Sequence, residues 1–168
     1  MIPIPSEFSR PLAVDRVPRG GSYEKIAAES AECAALAKRF DIPVIHRLSA
    51  ELHATPWRGG GLKLEGTLRA DLEQISVVSL EAFRHDLEIP VLRFFMPAGS
   101  AAADGGAEID HIEAGLVDLG EVVAETLALE LSPYPRKPGE GYQPPAETLE
   151  EQLGKPSPFA VLARLKPK

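Results

Sequence analysis

The stretch LSAELHATPWRGGGLKLEGTLRADL, residues 48–72, decides the fold of this chain. Apolar and polar residues alternate over 48–54 and again over 62–72, which is the period of a β-strand with one buried face. Between these runs, TPWRGGG at 55–61 supplies the glycines that a hairpin needs for positive φ. The sequence therefore predicts an antiparallel hairpin at the centre of a β-meander.

Helical spacing appears on the N-terminal side of this hairpin. Residues 29–40 carry an apolar stripe formed by Cys33, Leu36, Ala37 and Phe40, which predicts a helix with one buried face. Two shorter alternating runs, at 7–15 and 22–28, predict strands before that helix. This side of the chain therefore adds two strands and one main helix.

The C-terminal side predicts further strands at 74–78 and 87–95 and a second main helix from Asp118 to about Leu131. Asp118 and Glu121 have the spacing of a capping box, and the prolines of residues 132–135 end the helix. Taken together, the elements predict an α+β fold with an antiparallel β-meander sheet, two main helices and a short C-terminal helix.

Composition divides the chain into two parts. Residues 1–135 read as an α+β core domain with a flexible acidic loop at about 97–114, since that loop is built from small and acidic residues. Residues 136–168 read as an extended segment rich in Pro, Gly and Glu. This segment ends in SPFAVLARLKPK, residues 157–168, which has the pattern of a short docking helix. Whether such a helix docks on its own core or on a partner stays open.

Charge limits the possible functions. The chain holds 25 acidic against 18 basic residues, so a general nucleic-acid coat is excluded and any RNA contact has to be local. No apolar run approaches the length of a membrane span, and no secretory signal is recognisable, which predicts no membrane partner. The single cysteine, Cys33, is typical of a reducing cytoplasm.

No pattern typical of an enzyme is present. The four histidines share no ligand spacing, Ser76 and Ser79 lie in no nucleophile elbow, and the glycines at 59–61 precede a strand instead of the helix of a phosphate loop. We therefore expect no catalytic residue, no metal, no cofactor and no small-molecule substrate.

Aromatic residues beside cations are the better candidates, because they suit contacts to RNA bases and phosphates or to a protein. Trp57 and Arg58 lie at the predicted hairpin tip. The favoured alternative for Trp57 is that its side chain folds back over the sheet edge, because tryptophan is mostly buried on average. The other candidates are Tyr134, Arg136 and Lys137 at the proline break, and Phe159, Arg164 and Lys166 in the tail.

Four blocks resemble one bacterial family in order and at sensible spacing: EFSRPL at 7–12, the strand pair around WRGGG, residues 117–135, and the tail at 157–168. The chain is similar to the YceD-like proteins, the large ribosomal RNA subunit accumulation proteins. The resemblance implies a role in making, processing or stabilising 23S ribosomal RNA, without a settled chemistry. Because enzyme motifs are lacking, we expect a non-enzymatic factor that supports 23S ribosomal RNA accumulation and large-subunit biogenesis. The partner would be 23S RNA, a large-subunit ribosomal protein or an assembly factor. The alternative is a protein adaptor that does not contact RNA.

This chain departs from the family at its cysteines. Many relatives carry Cys-x-x-Cys after the central strands and another cysteine after the proline break, which is a plausible thiolate metal site. Here Ser76 and Ser79 align with the first pair, and the later position falls near Lys137. We therefore expect the same geometry to be held by packing, without metal.

Overall fold

The computed structural model describes residues 6–98 and 109–141. Two units, Met1–Lys137 and Pro138–Lys168, make up the chain, and every element below lies in the first. The strands and helices, in chain order, are β1 (Pro11–Ala13), β2 (Ser22–Ala27), α1 (Ser30–Arg39), β3 (Val44–Trp57), β4 (Gly61–Ile75), β5 (Ala82–Pro97), β6 (Ile109–Ile112), β7 (Leu116–Asp118) and α2 (Leu119–Glu130). None of the described helices is long and apolar enough to span a bilayer.

The main sheet has five strands in the order β2-β3-β4-β5-β6. Neighbouring strands are antiparallel except for β5 and β6, which pair in parallel. The predicted hairpin is confirmed as β3 and β4, joined by a single 3-10 turn over Arg58–Gly60. Gly59 and Gly60 have φ of 64° and 77°, values that side-chain-bearing residues rarely adopt. The α+β class and the mostly antiparallel sheet are therefore as predicted.

The core lies between the inner face of this sheet and the two helices. The alternating apolar residues of β3 and β4 are buried, as the sequence pattern predicts, and so are the predicted inward residues of α2. Cys33 is buried on α1, and burial raises the pKa of its thiol. Phe40, at the end of the α1 stripe, is only partly buried. The buried hydrophobic residues of these four elements are Ile45, Leu48, Ala50, Leu52, Ala54, Leu62, Leu64, Leu68, Ala70, Leu72, Cys33, Leu36, Ala37, Leu119, Val122, Val123, Ala124 and Leu127.

The predicted strand at 7–15 is wrong in extent. Only Pro11–Ala13 is extended, and this β1 pairs with β7 in a separate two-stranded sheet. The preceding residues bind the start of α2 instead: the Ser9 hydroxyl and the Arg10 backbone N–H donate to the carboxylate of Asp118 at 2.5 and 2.7 Å. Asp118 also caps α2 by accepting from the N–H of Gly120 at 3.0 Å.

Ion pairs extend this attachment to both helices. Arg10 donates to both carboxylate oxygens of Glu32 on α1, at 2.8 and 2.9 Å. Arg39 donates to Glu121 on α2 at 2.8 Å and to Glu7 at 3.1 Å. These hydrogen bonds hold the pKa of Glu32 and of Glu121 below the usual range of glutamate. We call these five residues the N-terminal clamp.

Two further predictions need correction. The predicted strand at 74–78 does not exist, because β4 continues to Ile75 and the chain then turns over 76–81 before β5, which also includes the predicted strand at 87–95. The predicted loop at 97–114 contains β6, which gains backbone hydrogen bonds from the end of β5. Residues 99–108 of that loop lie outside the described residues.

Candidate functional site

The turn between β4 and β5 is built around a buried serine. The Ser76 hydroxyl accepts hydrogen bonds from the backbone N–H of Val78 at 3.2 Å and of Ser79 at 3.5 Å. The Ser76 N–H donates to the Glu81 carbonyl, and its carbonyl accepts from the Leu80 N–H, both at 2.9 Å. A side chain that satisfies backbone donors in this way favours a turn over a continuing strand.

The segment after α2 lies against this turn. The Val77 N–H donates to the carbonyl of Pro135 at 2.9 Å, and Lys137 Nζ lies 3.5 Å from a carboxylate oxygen of Glu81. The structure thus brings together Ser76, Ser79 and the neighbourhood of Lys137, the three places that the family resemblance aligns with cysteines.

These groups do not fit a zinc ion. The Ser76 hydroxyl is engaged by backbone N–H groups, the Ser79 hydroxyl accepts from the Glu81 N–H at 3.4 Å, and the third position is near a lysine ammonium. Hydroxyls are weak zinc ligands, and an ammonium repels a cation. Within 6–98 and 109–141, no three His, Cys, Asp or Glu side chains are grouped closely enough to hold a metal.

Several large apolar side chains around the turn are exposed. Leu80 is 78% exposed and has φ of 60°, a left-handed conformation that costs a leucine about 1–2 kcal/mol. Tyr134 is 74% exposed on the adjoining segment. We call this region the turn surface; it consists of Ile75, Val77, Val78, Leu80, Tyr134, Arg136 and Lys137. Exposed apolar groups beside charges are typical of an interaction site.

A cavity of about 410 Å³ opens beside the turn surface. Ile75 and Pro135 line it from the turn side, and Phe40 and Ile42 line it from the end of α1. Gln74 is buried below it, where its amide donates to the carbonyl of Ser132 at 3.4 Å. The protruding turn surface therefore borders a concave region, which it meets at Ile75.

The candidates at the hairpin tip occupy a different place, at the opposite end of β4. Trp57 is half-buried and packs against Phe94 of β5, with ring centroids 4.8 Å apart and planes tilted by 48°. Its neighbour Arg58 is exposed in the 3-10 turn. Trp57 thus covers part of the sheet, while Arg58 remains open to solvent. The tail candidates Phe159, Arg164 and Lys166 lie outside the described residues.

One aromatic feature has no counterpart among the sequence predictions. Tyr23 on β2 pairs in register with His53 on β3, and the two rings stack with centroids 4.1 Å apart and planes at 10°. Tyr23 is 80% exposed. Strand alternation over 22–28 places Tyr23 on one face with Lys25, but the pairing with His53 follows only from the register of β2 on β3.

A family model described as large ribosomal RNA subunit accumulation protein YceD matches residues 64–166, more than half of the chain. The match begins in β4 and includes the whole turn surface, whereas Tyr23, His53 and the hairpin tip precede it. No curated protein and no solved structure matches the chain. From the match, the chain belongs to the YceD family of large ribosomal RNA subunit accumulation proteins.

Proposed function

We propose that this protein supports 23S ribosomal RNA accumulation as a non-enzymatic binding factor in the cytoplasm, and that the turn surface contacts its partner. Family membership gives it a general role in accumulation of the large ribosomal RNA subunit. The observation that carries the binding role is the exposure of Leu80 and Tyr134 around a rigid turn inside the family match. The side chains there are apolar, aromatic and cationic, which suits contact with a partner better than acid–base chemistry.

Direct RNA binding is the first form of this proposal. Arg136 and Tyr134 would supply a phosphate contact and a stacking ring, as single-stranded RNA requires. Lys137 contributes less, because phosphate must compete with Glu81 for its ammonium group. The partner would be 23S RNA itself.

A protein partner is the second form, and the apolar residues favour it. The exposed side chains of Val77, Val78 and Leu80 cannot form hydrogen bonds with RNA. The chain also carries a formal net charge of −7, which repels the phosphates of RNA. A large-subunit ribosomal protein or an assembly factor, with a basic surface and an apolar pocket, would fit both features. In this form the protein is an adaptor with an indirect effect on RNA.

A pull-down with the tagged full chain, with and without nuclease, distinguishes direct RNA binding from binding to a protein partner. Leu80→Gly removes the exposed side chain at a backbone position that glycine adopts without strain, so the fold should be retained. A protein partner that survives nuclease treatment and is lost with Leu80→Gly supports the adaptor. If the Leu80→Gly variant still captures that protein partner, the result contradicts a role of the apolar side chains in binding it.

Salt dependence tests the RNA form. With a 23S fragment as ligand, Arg136→Ala should lower the slope of log affinity against log salt by about one unit, since each phosphate contact contributes close to one. Arg136→Ala together with Lys137→Ala should lower it by about one to two units. Arg16→Ala, which removes the same charge from an exposed position on another element, is the matched control. An equal loss in this control would show that net charge alone governs binding.

The tail candidates remain predictions of the same kind. If residues 157–168 engage the partner, Phe159→Ala should weaken capture more than Lys168→Ala, because an apolar anchor contributes more than an exposed charge. The measurement is the amount of partner retained in the pull-down. Equal retention by both variants would remove Phe159 from the binding site.

A further inference from the structure

We infer that the outer face of the main sheet binds single-stranded RNA by stacking a base on the ring of Tyr23. This inference deepens the RNA form of the proposed function and rests on it for the identity of the ligand. It concerns a second surface, on β2, β3 and β4, away from the turn surface.

The first supporting observation is the ring of Tyr23. One face stacks on His53 at a centroid distance of 4.1 Å, while the side chain as a whole is 80% exposed. The other face of the Tyr23 ring is therefore open to solvent, and the His53 ring lies parallel behind it. A base placed there would continue an existing stack, and stacking on aromatic side chains tolerates every base because each has a π-face.

The second observation is that the supporting ring is fixed in place. His53 Nδ1 lies 3.6 Å from a carboxylate oxygen of Glu65, and its side chain is only 22% exposed. Its Nε2 is buried without a hydrogen-bond partner among the described residues, and it lies 2.4 Å from the position that a Cβ atom on Gly21 would occupy. Both rings also project from paired strands, which hold side chains more rigidly than loops do. The platform therefore exists before any ligand arrives.

The third observation is a hollow of about 310 Å³ beside the rings, lined by hydrogen-bonding, cationic and acidic groups. Lys25 and Arg69 supply positive charge, and Thr67 supplies a hydroxyl. Lys25 pairs with Glu51 at 2.8 Å and Arg69 with Glu88 at 3.4 Å, but all four side chains are more than half exposed. Exposed ion pairs contribute little, so either cation can turn to a phosphate at small cost.

The charges around the hollow also set the expected mode of binding. Glu24, Glu51 and Glu65 line the same hollow and outnumber the two cations, so the face offers no positive potential. Binding here should therefore depend on the base more than on the phosphates, with a weak dependence on salt. That behaviour differs from the contact proposed for Arg136, and the difference allows the two to be tested separately.

The test uses the full chain and a short single-stranded RNA that carries one 2-aminopurine, whose fluorescence is quenched when it stacks. We expect quenching by the wild type, and about a tenfold loss of affinity with Tyr23→Ala, without a change in salt slope. Tyr23→Phe should retain affinity within about twofold, because the ring is kept. Leu129→Ala, which removes an equally exposed large side chain from α2 outside both proposed surfaces, is the control and should keep the quenching.

An abasic strand with the same number of phosphates separates stacking from charge. It should bind the wild type and Tyr23→Ala equally. Unchanged affinity and quenching in Tyr23→Ala would overturn the inference, and if Arg136→Ala still lowered the salt slope, the proposed function would survive without it. Absence of any RNA binding by the wild type, with a nuclease-resistant protein partner that Leu80→Gly loses, would overturn the inference and leave the adaptor form.

Discussion

Ser76 is the residue around which the turn between β4 and β5 is built, at a position that the family resemblance aligns with a cysteine. Its hydroxyl closes the turn by accepting the N–H groups of Val78 and Ser79, so the turn needs no ion to hold its backbone. The sequence showed only that a serine occupies the position. The accepting geometry became visible with the turn itself.

Ser76→Ala should therefore lower the free energy of unfolding by about 1–2 kcal/mol, since it removes a buried acceptor in the manner of a lost side-chain cap. Ser79→Ala is the matched control, because that hydroxyl is exposed and accepts only the Glu81 N–H at 3.4 Å. It should cost less than about 0.5 kcal/mol. Urea unfolding measures both, and equal costs would contradict the role given to Ser76.

At the scale of elements, the N-terminal clamp joins the start of the chain to α1 and α2. The arginines lower the folded-state pKa of Glu32 and Glu121, so this stabilisation is present above the unfolded value of about 4.3. It is lost as the pH falls through the lower folded values. Stability should consequently decline from about pH 4 downward.

Glu32→Gln tests this coupling. The variant should be less stable than the wild type at pH 7, and the difference should shrink below about pH 4, where Glu32 becomes neutral in the wild type too. Glu88→Gln is the control, because Glu88 pairs only at 3.4 Å and is 65% exposed. Urea titrations at several pH values give the comparison. A difference for Glu32→Gln that stays constant with pH would show that its ion pair is not the cause.

The contact between α2 and the N-terminal segment reverses an expectation from helix propensity. Alanine in place of Gly120 would ordinarily stabilise a helix by up to about 1 kcal/mol. Here its Cβ would lie 2.2 Å from the carbonyl oxygen of Phe8, a backbone atom that cannot rotate away. We expect Gly120→Ala to destabilise the fold by about 1–3 kcal/mol.

Thermal unfolding of Gly120→Ala measures the effect. Gly20→Ala is the control, because a Cβ at Gly20 would meet no atom within 4 Å. It should leave the melting temperature unchanged or raise it slightly. A melting temperature of Gly120→Ala above that of the wild type would mean that the segment containing Phe8 shifts away at no cost.

For the molecule as a whole, we expect packing to hold the fold without metal. The purified protein should contain no stoichiometric zinc, and a chelator should leave its melting temperature unchanged, because a structural zinc contributes directly to folding free energy. Elemental analysis and calorimetry with and without chelator make the measurement. One zinc per chain would contradict the lack of fit at Ser76 and Ser79.

The two proposed surfaces also belong to this scale, because each combines distant parts of the chain. The turn surface unites residues 75–80 with 134–137, and the stacking face unites β2 with β3 and β4. The turn surface lies wholly inside the family match, whereas the stacking face lies inside it only through its β4 residues.

The sequence by itself determined the elements with a strong period. The hairpin of β3 and β4, the helix α1 and the helix α2 follow from alternation and helical stripes, because burial of one face imposes the pattern on neighbouring residues. The turn glycines could also be identified from the sequence, because a positive φ is required at single residues and glycine adopts it most readily. Tyr134 and Arg136 could likewise be chosen from sequence, as an aromatic residue and a cation at a proline break.

Only the tertiary structure decided the pairings that join distant residues. Arg10 and Asp118 lie 108 positions apart, β1 pairs with β7, and β6 adds in parallel to β5. No local period encodes such a partner, because a backbone hydrogen bond or an ion pair depends on where two segments meet in space. The ring stack of Tyr23 on His53 and the hydrogen bond from Val77 to Pro135 also join distant residues. Both candidate surfaces therefore depend on tertiary packing.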